Sequence, residues 1–243
     1  MIDKDSQKVA YITGTSSGIG KALAELLLAD SWQVIGIARR NTIKHERYTH
    51  LSLDLSTDFA DWPKTIFLSH KKAEKVVLIN NAGTLGDVAY SGKLDNLETG
   101  KAYNANLIAP ALLCNNFLQA YPNQHKIILN ISSGAASYPV DGWSTYCSTK
   151  AGLQMLSEVI ALEAEKRGDK LLHAFSVAPG VVDTAMQTHI RNASEEDFSR
   201  VKHFKQLKEE NGLTSSNKVA EKLKYLIENP QEFNEVRQDV RQW

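Results

Sequence analysis

Along the chain, short apolar runs rich in β-branched residues alternate with longer stretches whose apolar positions recur at helical spacing. A short apolar run bounded by turn residues reads as a strand, and recurrence at i, i+3, i+4 and i+7 reads as one face of a helix. The pattern predicts strands at 9–13, 33–38, 49–53, 75–80, 126–132 and 171–178. Between the first two, Ile19, Leu23, Leu26 and Leu27 share one helix face, and further helices are predicted over 96–121, 144–167 and 216–229. Strands that alternate with helices pair in parallel through right-handed crossovers. The expected fold class is therefore α/β: a single-domain, Rossmann-type, doubly wound parallel sheet with helices on both faces. No internal repeat and no Pro/Gly/Ser-rich linker divides 1–243. The segment 184–212 differs, being polar with Met186, Ile190, Phe198 and Phe204 scattered among charges. It comes after the last predicted strand, on the side where open α/β sheets bind ligands. It reads either as a lid over a site or as amphipathic surface helices with no part in binding.

Charge and composition narrow the partners. The chain has 243 residues, with 28 Lys+Arg against 28 Asp+Glu and a net charge of zero. No block of Lys and Arg marks a nucleic-acid or anionic-membrane surface, and no apolar run is long enough to cross a bilayer, so neither partner is expected. The start, MIDKDSQ, carries charges where a leader peptide needs an apolar stretch. Two cysteines, Cys114 and Cys147, stand in neither a metal-ligand nor a CxxC spacing. That excludes a disulfide framework, gives no metal site, and points to a reducing compartment, the cytoplasm.

The candidate chemistry begins directly after the first strand, where TGTSSGIG places Gly14, Thr15, Ser16, Ser17, Gly18, Ile19 and Gly20 at a strand-to-helix turn. Glycines there let a phosphate approach backbone N–H groups at the positive end of the helix, the arrangement a dinucleotide pyrophosphate requires; a purely structural turn is the alternative. At the end of the second strand the chain reads IGIARR, so Arg39 and Arg40 stand where an NAD site carries a carboxylate. Paired guanidinium groups suit a 2′-phosphate, hence NADP, unless they are a solvated surface pair. Farther on come NNAG at 80–83, NISSG at 130–134, and Tyr146 with Lys150 four residues later. On one helix face the Lys150 ammonium can draw the Tyr146 hydroxyl below its ordinary pKa and make it a general acid or base.

Taken together, TGTSSGIG, NNAG, NANLIAP, ISS, YxxxK and APGVVDT, in this order, resemble the short-chain dehydrogenase/reductase family over nearly the whole chain. GWSTYCSTKA followed by DTAMQ is most similar to its sepiapterin reductase and benzil reductase members. The resemblance implies an NADP(H)-dependent reductase of a ketone or 1,2-diketone. In it Tyr146 is the proton donor, Lys150 holds the nicotinamide ribose and tunes Tyr146, and Ser133, 13 residues before the tyrosine, binds the carbonyl oxygen. Asn106 matches the asparagine that holds a relay water, Asp54 and Leu55 the pair at adenine, and Asn81, Ala82 and Gly83 the adenine-ribose side. Pro179, Gly180, Val182 and Thr184, with Met186 beyond them, match the segment at the carboxamide. Ser133, Gly134, Trp143, Tyr146 and Gly180 would border the small-molecule carbonyl substrate. Ser133 could instead cap its turn, Asn106 could bond helix backbone, Trp143 could be packing, and Cys147 reads as a small packed residue. Because the helices 96–121 and 144–167 pair subunits in this family, the resemblance implies a homodimer, with a tetramer as alternative. Two rival functions share this pattern: an NAD(P)-linked alcohol dehydrogenase and a non-catalytic NADP-sensing regulator. Two departures stand out. The glycine loop has Ser16 and Ser17 where many NADP-preferring members carry a basic residue, and the tail FNEVRQDVRQW is polar, its Asp239 being either a substrate anchor or a surface carboxylate.

Overall fold

A computed structural model of the chain describes residues 8–57, 65–67 and 69–243, so the charged start at 1–7 lies outside the described residues. The strands β1 (Lys8–Thr13), β2 (Gln33–Ala38), β3 (Tyr48–Ser52), β4 (Lys75–Asn80), β5 (His125–Ile131), β6 (Leu172–Ala178) and β7 (Arg237–Asp239) form one parallel sheet. Their order is β3-β2-β1-β4-β5-β6-β7, the doubly wound arrangement expected from the alternating pattern. Residues of β1, β2, β4 and β5 are buried almost without interruption because helices cover both faces. The connection reverses direction between β1 and β4, and that opens a crevice beyond the carboxyl ends of the strands.

On one face, α1 (Gly18–Ala29) and α7 (Ser216–Glu228) bury Leu23, Leu27, Leu223 and Ile227 completely against the sheet. Burial of such a side chain contributes roughly 1.5–3 kcal/mol. On the other face, α3 (Ala109–Ala120) and α4 (Ser144–Arg167) bury Leu113, Phe117 and Ile160. The long α4 ends where Gly168 takes the left-handed conformation, φ +66°, and Asp169 N–H bonds back to the Ala164 carbonyl at 2.9 Å.

Three features depart from the pattern's prediction. The helix expected over 96–121 is divided into α2 (Asn96–Tyr103), a π-helical turn over Asn104–Ile108, and α3. Apolar spacing does not report such a bulge, because the face stays continuous through it. The β1, β3 and β5 strands each begin one residue early, and β6 begins one residue late. The polar tail contributes β7, which pairs Arg237, Gln238 and Asp239 with Ser176, Val177 and Ala178. Three polar residues at a sheet edge carry no periodic signal; β7 is held by ladder bonds, by buried Val240 and by the Arg237–Glu158 ion pair at 2.5 Å. The segment 184–212 forms α5 (Ala185–Arg191) and α6 (Val201–Glu209), and its Ile190, Phe198 and Phe204 form a third apolar cluster with Trp143. Among the described residues, no helix is long and apolar enough to cross a membrane. Both cysteines are free.

Candidate active site

A cleft of ≈ 900 Å³ lies in the crevice at the carboxyl ends of the strands. Its floor is the turn between β1 and α1. Gly14 has φ +77°, and a Cβ there would stand 2.8 Å from Asn81 Nδ2 and 3.0 Å from Ala82 Cα, so the two turns meet backbone to backbone. Thr13 Oγ1 accepts from Asn81 N and Ala82 N, both at 2.9 Å, which locks the NNAG turn beside the glycine turn. Ser16, Ser17, Gly18 and Ile19 line the cleft where α1 begins. Among the described residues the Ser17 hydroxyl caps no helix N–H, and the first turn of α1 carries no acidic residue. Both hydroxyl and helix end thus remain available to an anion. Thr15 and Gly20 do not reach the cleft as expected. The Thr15 hydroxyl is buried against the Tyr48 hydroxyl at 2.8 Å, and Gly20 is the space into which the Gly14 carbonyl fits, since a Cβ there would lie 2.6 Å from that oxygen.

At the end of β2, Arg39 and Arg40 both border the cleft. Arg39 Nη1 lies 3.8 Å from Asp54 Oδ2. Hydrogen bonds from Ser56 Oγ at 2.7 Å and Ser56 N at 3.0 Å hold the Asp54 carboxyl below its ordinary pKa, with Arg39 adding to the effect. Leu55, Asn81, Ala82 and Gly83 line the same wall.

Deeper in, α4 presents Tyr146 and Lys150 one turn apart, both buried. Lys150 Nζ donates to the Ile131 carbonyl at 2.7 Å and sits 5.7 Å from the centre of the Tyr146 ring. Burial draws Lys150 down to about 8. Burial also pushes Tyr146 up to about 12, an effect that its hydrogen bond with Ser133 only partly offsets. This corrects the expectation that Lys150 lowers the phenol. The ammonium is committed to a carbonyl, and desolvation of a buried phenolate outweighs it. Ser133 lines the cleft, and its Oγ also accepts from Ala135 N at 3.2 Å, so it caps the short turn at Gly134–Ala136 as its structural alternative expects. Asn106 is fully buried and does not line the cleft. Its Oδ1 accepts from Thr84 N at 2.9 Å and its Nδ2 donates to the Thr84 carbonyl at 2.8 Å and to Thr149 Oγ1 at 3.1 Å. It bonds no backbone of its own helix through that side chain; it ties the loop after NNAG to α4.

The inner end is aromatic. Trp143 stacks on Phe198 at 5.1 Å and meets Tyr146 edge-on at 5.7 Å, so it is at once packing and cleft wall. Gly134, Pro179, Gly180, Val182, Thr184 and Met186 complete this end, and a Cβ on Gly18 would lie 3.4 Å from Thr184 Cγ2, where the loop after β6 meets the glycine turn. Cys147 packs near the Val140 carbonyl, and burial raises its thiol, away from nucleophilic character. Asp239 is a partly exposed carboxylate outside the cleft, closer to its surface reading than to an anchor, with its oxygens on the Arg241 guanidinium, and Arg241 itself lines the cleft. Tyr138, Gln187, Arg200, His203 and Arg241 also line it, belong to no motif, and were not among the residues expected there. Gln187, Arg200 and His203 lie in the segment 184–212, whose apolar residues scattered among charges are the one signal that pointed toward part of this wall.

A doubly wound parallel sheet whose first strand opens through glycines onto a helix end, at the switch point of the strands, defines the dinucleotide-binding Rossmann class. Within that class the particular family is given by comparison with known proteins. Residues 8–195 match the model of the family described as short chain dehydrogenase, and the chain belongs to that family. It is 38% identical over 237 residues to the benzil reductase ((S)-benzoin forming) of Bacillus cereus, covering 91% of this chain and 94% of that one. It is 30% identical to the sepiapterin reductase of Bos taurus, covering 91% and 90%. The crystal structure of a short-chain dehydrogenase/reductase from Saccharomyces cerevisiae is similar at a TM-score of 0.83, with 27% identity and 96% of each chain covered. The chain is an oxidoreductase of carbonyl and alcohol groups, from a family that uses a nicotinamide cofactor.

Proposed function

We propose that the protein is an NADPH-dependent carbonyl reductase that reduces a ketone or 1,2-diketone, with Tyr146 as the proton donor. The observation that carries this reading is one continuous cleft with two different ends: a cationic rim beside a helix N-terminus, and half-buried Ser133 with buried Tyr146 and Lys150 against an aromatic wall. The donor set fits the cofactor. Free N–H groups at the start of α1 and the Ser17 hydroxyl suit a pyrophosphate, and Arg39 and Arg40 suit a 2′-phosphate. When bound, the reduced nicotinamide supplies the hydride. Ser133 and Tyr146 supply the rest, because their hydroxyls converge where the carbonyl oxygen gains negative charge. A phenol held near 12 keeps its proton at neutral pH and gives it up only to an oxygen more basic than itself, which an alkoxide is. Lys150, still largely cationic at pH 7, stabilises the phenolate left behind. Trp143, Phe198 and Phe204 exclude water, and we assign 184–212 as the lid over this end.

The diketone reading takes its direction from the Bacillus relative. It is favoured over a pterin because Asp239, the carboxylate available near the carboxyl end, is already bound by Arg241. Free cysteines agree with a cytoplasmic setting. Partly exposed Met155, Val159 and Leu162, at i, i+4 and i+7 on α4, agree with a homodimer. The decisive test tracks NADPH absorbance with benzil and 1-phenylpropane-1,2-dione. Wild type oxidises NADPH, and Tyr146→Phe loses about 10²–10⁴-fold in kcat. A phenylalanine variant as fast as wild type would sink the mechanism.

A further inference from the structure

The cleft holds an uneven distribution of charge that hydride and proton transfer leave unused. Among the described residues, its lining carboxylates are Asp54 and Glu98, already paired with Arg39 at 3.8 Å and Lys101 at 2.7 Å. Arg200, His203 and Arg241 also line it with no lining carboxylate paired to them. Arg241 shares the cleft with Ser133 and Tyr146 and packs against the loop after β6. Its Cγ and Cδ would lie 3.4 Å from a Cβ on Gly180, and it lies within electrostatic reach of Tyr138. The Tyr138 hydroxyl in turn would lie 2.9 Å from a Cβ on Gly134, the neighbour of Ser133.

The geometry of the Arg241 guanidinium is specific. Asp239 accepts from Nε at 2.9 Å and from Nη2 at 2.5 Å, and it also accepts from the Arg241 backbone N–H at 3.0 Å. A guanidinium has five N–H donors, so Asp239 occupies one edge and leaves the end-on edge, formed by Nη1 and the outer hydrogen of Nη2. That remaining fork matches a carboxylate and demands little ordering, because the side chain is already held. Trp143 and Phe204, backed by buried Phe198, give the same cleft an aromatic wall against which a ring could pack.

We propose that Arg241, fixed by Asp239, is a specificity residue that receives the carboxylate of an aromatic keto acid whose carbonyl is reduced at Ser133 and Tyr146. This rests on the carbonyl-reductase reading. The chemistry is otherwise unchanged: the ketone carbon gains hydride from NADPH, the oxygen gains a proton from Tyr146, NADP forms, and the carboxylate is a spectator.

The test compares phenylglyoxylate with its neutral methyl ester, using NADPH and the full chain, for wild type, Arg241→Gln and Asp239→Asn. Wild type is expected to favour the acid. In Arg241→Gln the ratio of kcat/KM for acid over ester should fall about 10- to 100-fold through KM, and in Asp239→Asn it should fall less. Calorimetric titration of the NADP-loaded protein with phenylglyoxylate reads the same contact without turnover. Equal kinetics for acid and ester in wild type, or phenylglyoxylate binding unchanged by Arg241→Gln, would overturn the proposal. Binding that depends on Arg241 without reduction of either compound would keep the anion site and reject the reductase reading instead.

Discussion

Tyr146 and Lys150 lie one turn apart, and burial moves them in opposite directions: the phenol up to about 12 and the amine down to about 8. The charged form of each is the one that burial penalises. The sign of the pH dependence is set by Lys150, which is cationic below about 8 and neutral above it. Reductive kcat/KM is therefore expected to be level below that value and to fall as pH rises through it. Lys150→Gln should lose the fall along with most of the rate, and a pH profile in that variant matching wild type would remove Lys150 from the reaction. Arg39 makes a different contribution. At 3.8 Å from Asp54 it is already turned along the cleft rim, so Arg39→Asp should weaken NADPH binding about 10- to 100-fold and leave NADH binding weakened far less. Equilibrium titration with both dinucleotides measures this directly, and equal losses would defeat the assignment of Arg39 to a 2′-phosphate.

At the scale of elements, the site is a meeting of strand ends and helix starts. The turn leaving β1 and the turn leaving β4 are bonded through Thr13 and packed through Gly14, so one cannot shift without the other. Gly14→Ala would introduce a Cβ at a positive φ and 2.8 Å from Asn81 Nδ2. It is expected to cost about 1–2 kcal/mol from backbone conformation alone, seen as a lower urea midpoint, and to weaken NADPH binding as the Ser16–Gly18 cradle moves. A stable variant with intact binding would contradict the packing of these two turns. The π-helical turn has a comparable positioning effect, because it lies where Asn106 reaches the Thr84 backbone and Thr149 on α4. The seventh strand matters for where it delivers the tail, since the turn after β7 brings Arg241 to the cleft while Asp239 holds it from outside.

Across the whole molecule, a net charge of zero conceals a cleft in which cations gather at both ends. The average excludes broad polyanion surfaces but is silent on a small phosphate-bearing ligand, because a few local guanidinium groups suffice for one. The outer surface of α4 adds an apolar stripe, Met155, Val159 and Leu162, on the side of the helix away from Tyr146 and Lys150. If this stripe joins two copies, Val159→Glu should convert dimers to monomers in light scattering while leaving the Tyr146 side of the helix folded. A wild-type protein that is monomeric at micromolar concentration would exclude that assembly.

The sheet, the helices and most of the cleft were legible in the chain alone, because each is written in local terms. Alternating apolar runs dictate parallel strands, glycines permit the turn after β1, and the spacing of Tyr146 and Lys150 puts both on one face of α4. Gly14 and Arg39 could be picked out on that basis, Ser133 and Trp143 through the resemblance to the family, and all line one cleft. Folding decided whatever depends on partners distant in the chain. It turned Asn106 away from the cleft toward Thr84, set Tyr146 high by burying it, and used Thr15 and Gly20 for packing. It also carried Arg241 from a polar tail to a place beside Gly180. No local pattern encodes that last contact: three edge residues pair with β6 through backbone bonds that any side chains would allow, and only the folded sheet puts the next turn against the cleft.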